Sequence, residues 1–451
     1  MLNESQVEIS QDVLADQIRS AARPLIGADD DYDPLLERIG DARYVLLGEA
    51  SHGTHEFYRE RAKITQRLIL EKGFVAVAAE ADWPDAHRVN RFVRGRGDDA
   101  EPVDALGDFH RFPAWMWRNA DVVDFVAWLR DHNAGLDPDN PKVGFYGLDL
   151  YSLRASMEAV IAYLDTVDPN AAARARDRYA CFDLHADPQS YGHAAALGLD
   201  PPCREEVIAQ LLELRRSAAN YESRDGLAAE DEFFSAEQNA RVAQAAEEYY
   251  RAMCSAETNT WNLRDWHMAK TLECLAGFLD QRSPGAKIVV WAHNSHVGDA
   301  RATRMGERGE WNIGQLSRGR YGGEAVLVGF TTHHGTVTAA SNWSEPAERK
   351  RVRPALAESY EGLFHVVGFD RFLLILEDDE RTQGLRRPRL ERAIGVIYRP
   401  ESERASHYFR ANLHAQFDAV IHFDRTRAVK PLERMGTWDD SETPEMFPTG
   451  F

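Results

Sequence analysis

The stretch Tyr44-Val45-Leu46-Leu47-Gly48-Glu49-Ala50-Ser51-His52-Gly53 decides how this chain is read. Its apolar run is continuous rather than alternating, which marks a strand covered on both faces. Gly48 ends the run, and an acid and an imidazole follow in the turn. A second run, Lys287-Ile288-Val289-Val290-Trp291-Ala292, ends the same way on His293-Asn294-Ser295-His296. Two more strands close on acids. Phe74-Val75-Ala76-Val77-Ala78-Ala79 leads into Glu80-Ala81-Asp82-Trp83, and Lys142-Val143-Gly144-Phe145-Tyr146-Gly147-Leu148 leads into Asp149.

Helical periods lie between these strands. Phe57, Ile64 and Leu68 share one stripe of a helix over 55–72 that Gly73 stops. Pro84 is placed to open the next helix. Beyond Asp149, Leu153, Met157, Val160, Ile161 and Leu164 recur at helical spacing. This alternation predicts an α/β fold with a mixed, largely parallel central sheet flanked by helices. From 165 to 283 the strand pattern vanishes. One helix is expected over 204–222, and a long helical stretch over 232–282, broken near Thr258-Asn259-Thr260. The expected organisation is an α/β catalytic core of residues 1–164 and 284–451, with a helical insertion, 165–283, forming one side of the active cleft. Further strands are expected at 325–330, 335–340, 371–376, 394–398 and 419–423, with hairpins and antiparallel edges.

Composition narrows the function. The 451 residues can bury a large core, and the mix of apolar and charged residues is that of an ordinary globular protein. A net charge of -20 disfavours nucleic acid and anionic membranes, since both need a basic face. No apolar run approaches the ~20 residues that span a bilayer. The opening residues carry neither the basic nor the apolar region of a secretion signal. Cys181, Cys203, Cys254 and Cys274 are widely spaced, with no C-x-x-C pair, and are expected to be reduced thiols. Together these features predict a soluble, cytoplasmic protein, and they do not choose a substrate. They say nothing of oligomeric state. The tail after Trp438 is expected to be loosely held.

Four strands ending in polar groups are the functional signal. Ligands of open α/β sheets bind in the crevice at the carboxyl ends of parallel strands, so neighbouring strands would gather Glu49, His52, Glu80, Asp82, Asp149, His293 and His296 there. A single acid after a strand is usually a helix cap, and Asp149 fits that role equally well. His87, His110, His193 and His414 are expected to be ordinary surface histidines. Three chemistries fit the pattern. In metal-free hydrolysis an imidazole takes a proton from water, a carboxylate orients it, and other donors hold the oxyanion. In the metal-assisted form, His52, His293, His296 and Glu80 would ligate a divalent ion. In the serine form, Ser51 or Ser295 would attack, although neither lies in a G-x-S-x-G elbow.

Leu47-Gly48-Glu49-Ala50-Ser51-His52-Gly53, with Glu56 and Arg59 in the helix behind it, resembles the erythromycin esterase family. So do Glu80-Ala81-Asp82-Trp83-Pro84, Gly147-Leu148-Asp149 and Trp291-Ala292-His293-Asn294-Ser295-His296. The resemblance runs in order from about residue 40 to 425. The family includes enzymes that open the lactone ester of macrolide antibiotics, and members labelled as succinoglycan biosynthesis proteins. The resemblance implies a carboxylic-ester hydrolase that needs no metal or other cofactor. His52 would be its general base, with Glu49, Glu80, His293 and His296 completing the catalytic set. Arg59, Arg61, Asp82, Trp83, Asp149 and Asn294 would face the substrate. A macrolide lactone is one candidate ester, which would make the chain a candidate resistance enzyme. Family membership does not name the ester. A metal-dependent hydrolase and a non-catalytic binding homologue are the alternatives.

Overall fold

The computed structural model describes residues 11–137, 140–222, 227–254, 258–377 and 379–433. The first ten residues and the tail after Trp438 lie outside them. Eleven strands are present among the described residues: β1 (Arg23–Pro24), β2 (Tyr44–Leu47), β3 (Phe74–Asp82), β4 (Gly144–Asp149), β5 (Lys287–Trp291), β6 (Ala325–Ala339), β7 (Glu348–Val352), β8 (Arg371–Ile375), β9 (Arg389–Arg392), β10 (Tyr408–Ala411) and β11 (Ala419–Thr426). The fold is α/β, built on largely parallel strands flanked by helices, as the sequence predicts. The chain divides into two compact units, one holding the described residues up to Gly73 and from Trp291 onward, the other Phe74–Val290.

In the first unit the strands follow the order β1-β8-β11-β6-β2. All four residues of β2 are buried, as its unbroken apolar run requires. It pairs in parallel with β6, from Tyr44 opposite Ala325 to Leu47 opposite Val328. β11 pairs in parallel with the other edge of β6. β8 joins β11 antiparallel, β1 joins β8 antiparallel, and β7 pairs antiparallel with the far end of β6. The helix His55–Lys72 lays Phe57 against Phe330 of β6 and Phe423 of β11. Gly73 ends that helix in the left-handed region.

Two strand expectations need correction, and one strand has no expectation to match. Residues 325–330 and 335–340 are one strand, because Gly335 carries β6 past β11 without a break. A Cβ at Gly335 would lie 2.0 Å from the Thr426 carbonyl oxygen, so the chains can approach this closely only at glycine. Residues 394–398 are not a strand. Their apolar content reflects burial, and they make isolated bridges from Ile394 to Ser51 and from Ile397 to Ala340. β7 is charged and largely exposed, so it carries no apolar period to read.

In the second unit the order is β5-β3-β4, with β3 and β4 parallel. Ala79 faces Gly147, and the register then shifts so that Asp82 faces Asp149. Gly147 permits the shift, since a Cβ there would meet the Ala81 and Asp82 carbonyl oxygens at 2.5 and 2.6 Å. The expected helical region, 165–283, falls within this unit. Met157, Val160 and Leu164 of the helix Leu153–Val167 share a core with Ala172, Val207, Leu211, Ala240, Ala243 and Ala246. The alanines let helices approach closely while still burying apolar surface. The helix expected over 204–222 is two, Arg204–Arg216 and Ala218–Glu222, separated at Ser217. The expected break near Thr258 is present: Asn259 caps the helix Thr260–Asp280 by accepting the Asn262 N–H. No helix of the described residues is long and apolar enough to cross a membrane.

The cysteines correct another expectation. Cys181 and Cys203 are joined in a disulfide, with Cα atoms 6.1 Å apart, while Cys254 and Cys274 are free. Sequence spacing carries no trace of this pairing, because folding alone brings the turn at Ala180–Phe182 onto the start of the helix Arg204–Arg216. Thiol titration of unfolded, unreduced protein should therefore find two reactive cysteines, rising to four after reduction. Four before reduction would contradict the bond.

Candidate active site

The first unit gathers the acid and imidazoles in two turns, the one after β2 and the one after Trp291. Their loops are tied by backbone: Asn294 N–H donates to the Glu49 carbonyl at 2.8 Å, and Ala292 N–H to the Leu47 carbonyl at 3.3 Å. The Asn294 side chain then acts as a strand surrogate. It donates to the Phe330 carbonyl at 2.7 Å and accepts from the Phe330 N–H at 3.2 Å. Its Oδ1 would be 2.1 Å from a Cβ on Gly48, so the turn after β2 must begin with glycine. Gly53 closes the turn under the same constraint, with the Thr338 carbonyl oxygen 1.9 Å from where its Cβ would be. Ile394 N–H braces the middle of the turn through the Ala50 carbonyl.

This scaffold holds Glu49 with one oxygen on each of two partners. Oε1 lies 3.0 Å from His52 Nδ1, and Oε2 lies 2.8 Å from Arg61 Nη2. Glu49 is 2% exposed, His52 4% and Arg61 1%. A carboxylate this deep needs a counter-charge, and Arg61 supplies it. The guanidinium is itself held between the Tyr58 and Trp291 rings, 4.5 and 5.1 Å from their centroids. A carboxylate can only accept, so a neutral His52 carries its proton on Nδ1 and turns a lone pair outward at Nε2.

The His293 ring lies 4.8 Å from that of His52, centroid to centroid. Its Nδ1 accepts the Ser295 N–H at 3.2 Å and lies 2.8 Å from the Ser295 hydroxyl. An accepting Nδ1 leaves the proton of the neutral ring on Nε2. The two histidines are thus set in opposite tautomers, one offering a lone pair at Nε2 and the other an N–H. His296 is buried one turn along the short helix Asn294–Val297. Arg59 pairs with Glu60, which also accepts from the Tyr32 hydroxyl, so of the two arginines named from sequence it is Arg61 that meets Glu49. Next to Asn294, burial and then the charge of Glu361 push the Glu391 carboxyl well above its ordinary range.

The second unit builds its own cluster. Arg264 donates to Glu80 at 2.8 Å and grips Asp149 with two hydrogen bonds of 3.0 and 2.6 Å. Asp149 is therefore an ion-pair partner, not the cap of the following helix, whose cap position is Ser152. Burial alone would raise the Asp149 carboxyl, but the charge and hydrogen bonds of Arg264 outweigh it and hold it below the usual range. Asp82 accepts from Arg111 at 3.0 Å and from the Tyr151 N–H at 3.1 Å. Burial prevails there and raises it. Both guanidiniums lie on the Tyr151 ring, Arg111 at 4.6 Å and Arg264 at 4.9 Å. Trp83 is buried and donates to the Ser235 hydroxyl. Burial also pushes the nearby His267 imidazole down to about 4, against the pull of Asp149.

A model of the erythromycin esterase family matches residues 69–426. The chain belongs to the erythromycin esterase family. The matched span begins beyond Gly53, so Glu49 and His52 lie upstream of it. Over 146 residues the chain is 31% identical to erythromycin esterase type II of Escherichia coli, a stretch that is 32% of each protein. The chain thus aligns with about a third of the length of that curated relative. Solved structures share the fold. A succinoglycan biosynthesis protein matches with TM-score 0.72 at 23% identity, over 94% of this chain and 100% of that one. A Bacillus cereus protein matches with TM-score 0.73 at 22% identity and the same coverage. A mutant erythromycin esterase in its open conformation matches with TM-score 0.64 at 17% identity, over 88% of this chain and 94% of that one.

Within this family member, Arg264 and Arg111 are the site residues that sequence reading misses. Arg264 had one available signal: it stands four residues before Met268, on the apolar stripe of its helix. The metal-binding alternative drew on His52, His293, His296 and Glu80. These are not a set whose donor atoms come within 4.8 Å of one another; among the described residues that property belongs to His333, His365 and Asp424. Removing Arg264 strips two buried carboxylates of their shared counter-charge. Arg264→Ala should cost about 3–5 kcal/mol in urea unfolding, and a loss below about 1 kcal/mol would contradict the ion-pair reading.

Proposed function

We propose that this chain is a carboxylic-ester hydrolase in which His52 activates water. The observation that carries the reading is the Glu49–His52 hydrogen bond, anchored from behind by Arg61. Nε2 of His52 takes a proton from water as the oxygen attacks the ester carbonyl. The negative charge of the tetrahedral intermediate is met by the N–H at Nε2 of His293. On collapse the acyl C–O bond breaks, and the leaving alkoxide takes back the proton that His52 holds as imidazolium. Glu49 stays ionised, fixing the tautomer of the ring and stabilising its positive form, a part that carboxylates play in histidine-based hydrolysis. Glu80 is proposed as a second acid of the reaction, with Asp82, Trp83 and Asp149 as substrate contacts, on family resemblance. The substrate is an ester small molecule, and a macrolide lactone is the first to try because the Escherichia coli relative is an erythromycin esterase.

A serine mechanism has one observation in its favour, the 2.8 Å contact between Ser295 and His293. Yet the same Nδ1 accepts the Ser295 backbone N–H, as a local capping turn does. Incubation with a panel of esters and macrolides should give product one water heavier, read by mass spectrometry. His52→Ala should lower turnover about 10²–10⁴-fold, with the fold retained because Glu49 keeps Arg61. Ser295→Ala should retain most activity. Full turnover in folded His52→Ala would overturn the assignment, and binding without product would favour a non-catalytic homologue.

A further inference from the structure

A second group of chemistry-bearing side chains lies in the first unit, where β6 and β11 pair and the helix Tyr360–Val367 ends. β6 supplies His333 and His334, β11 supplies His422 and Asp424, and the helix supplies His365 near its C-terminus. In the parallel register His422 faces Thr331 and Arg425 faces His334, so Asp424 falls at the level of His333, with His422 two residues before it on β11. The proposed hydrolysis uses none of them.

We propose that His333, His365 and Asp424 form a binding site for a divalent transition-metal ion of the zinc class. Their donor atoms all lie within 4.8 Å of one another. Ligands of one tetrahedral ion, each about 2 Å from it, sit about 3.3 Å apart, so closure needs side-chain shifts of roughly 1–1.5 Å. The helix residue can supply most of that, because His365 is exposed and already reaches Asp424, Nδ1 to Oδ1, at 2.6 Å. His333 is buried, stacked 3.9 Å from the His365 ring, with its Nδ1 4.0 Å from the same carboxylate oxygen. Two imidazoles and one carboxylate suit zinc, iron, nickel or copper rather than magnesium or calcium. Three protein ligands leave a fourth position for water, or for His334, whose Nδ1 lies 4.0 Å from the other oxygen of Asp424.

His422 gives independent support. It is 0% exposed, and its Nε2 has no hydrogen-bond partner. That atom points to Asp424, 3.8 Å from Oδ1, while Nδ1 is fixed by the Thr331 hydroxyl at 2.9 Å. Ligating carboxylates are themselves hydrogen-bonded from behind as a rule. An orphaned buried N–H is costly, and a slight turn of Asp424 onto a metal would let it accept from His422. The backbone is already steady there, since Asp424 N–H donates to the Asp370 carbonyl.

The test is titration of chelator-stripped full-length protein with Zn²⁺ by calorimetry, and with Co²⁺ by visible absorption. Wild type should bind one equivalent, with the cobalt spectrum of a low-coordinate site carrying imidazole. His365→Ala removes an exposed ligand without disturbing the core, and Asp424→Asn removes the carboxylate charge; each should weaken binding at least tenfold. His52→Ala should bind as wild type does, which separates this site from a metal at the proposed active site. No binding by wild type, full affinity in His365→Ala, or loss of the equivalent in His52→Ala instead would overturn the proposal.

Discussion

One buried carboxylate organises the candidate active site. A carboxylate as deep as Glu49 needs a counter-charge, and Arg61 meets one of its oxygens while His52 takes the other. Arg61 in turn needs the Tyr58 and Trp291 rings to be comfortable away from water. Each group therefore fixes the next, from the helix His55–Lys72, through the turn after β2, to the imidazole. A histidine held this way offers one nitrogen and commits the other.

The backbone around that chain leaves little freedom. Gly48 must be glycine because Asn294 fills the space of a Cβ, and Asn294 is there because it pairs with Phe330 of β6. Gly53 must be glycine because the turn passes against Thr338. The motif read from sequence is thus as much a packing solution as a chemical one. Its glycines let an acid and a histidine sit three residues apart and still face each other. The second unit solves a related problem with a different cation, Arg264, shared between Glu80 and Asp149.

What was legible in the sequence follows from range. β2, β3, β4, β5, β6 and β11 announce themselves because buried strands are apolar runs, and the ends of the first four lead directly to Glu49, His52, Glu80, Asp149 and His293. β7 is a charged, largely exposed edge with Val352 as its one buried residue, so no apolar period marks it. Residues 394–398 misled because burial alone looks like a strand. Arg264 meets Glu80 from 184 positions away, and one arginine among many carries no signal of its partner. The Cys181–Cys203 pair and the cluster about Asp424 were hidden for the same reason: distance in space is not written in spacing along the chain.

The central claim is a tautomer: His52 holds its proton on Nδ1 for Glu49, and so presents Nε2 as a base. Nitrogen-15 NMR of histidine-labelled protein, with His52 assigned by comparison with His52→Ala, reads it directly. The account predicts a neutral His52 ring protonated at Nδ1 and a His293 ring protonated at Nε2. A neutral His52 ring protonated at Nε2 would contradict it.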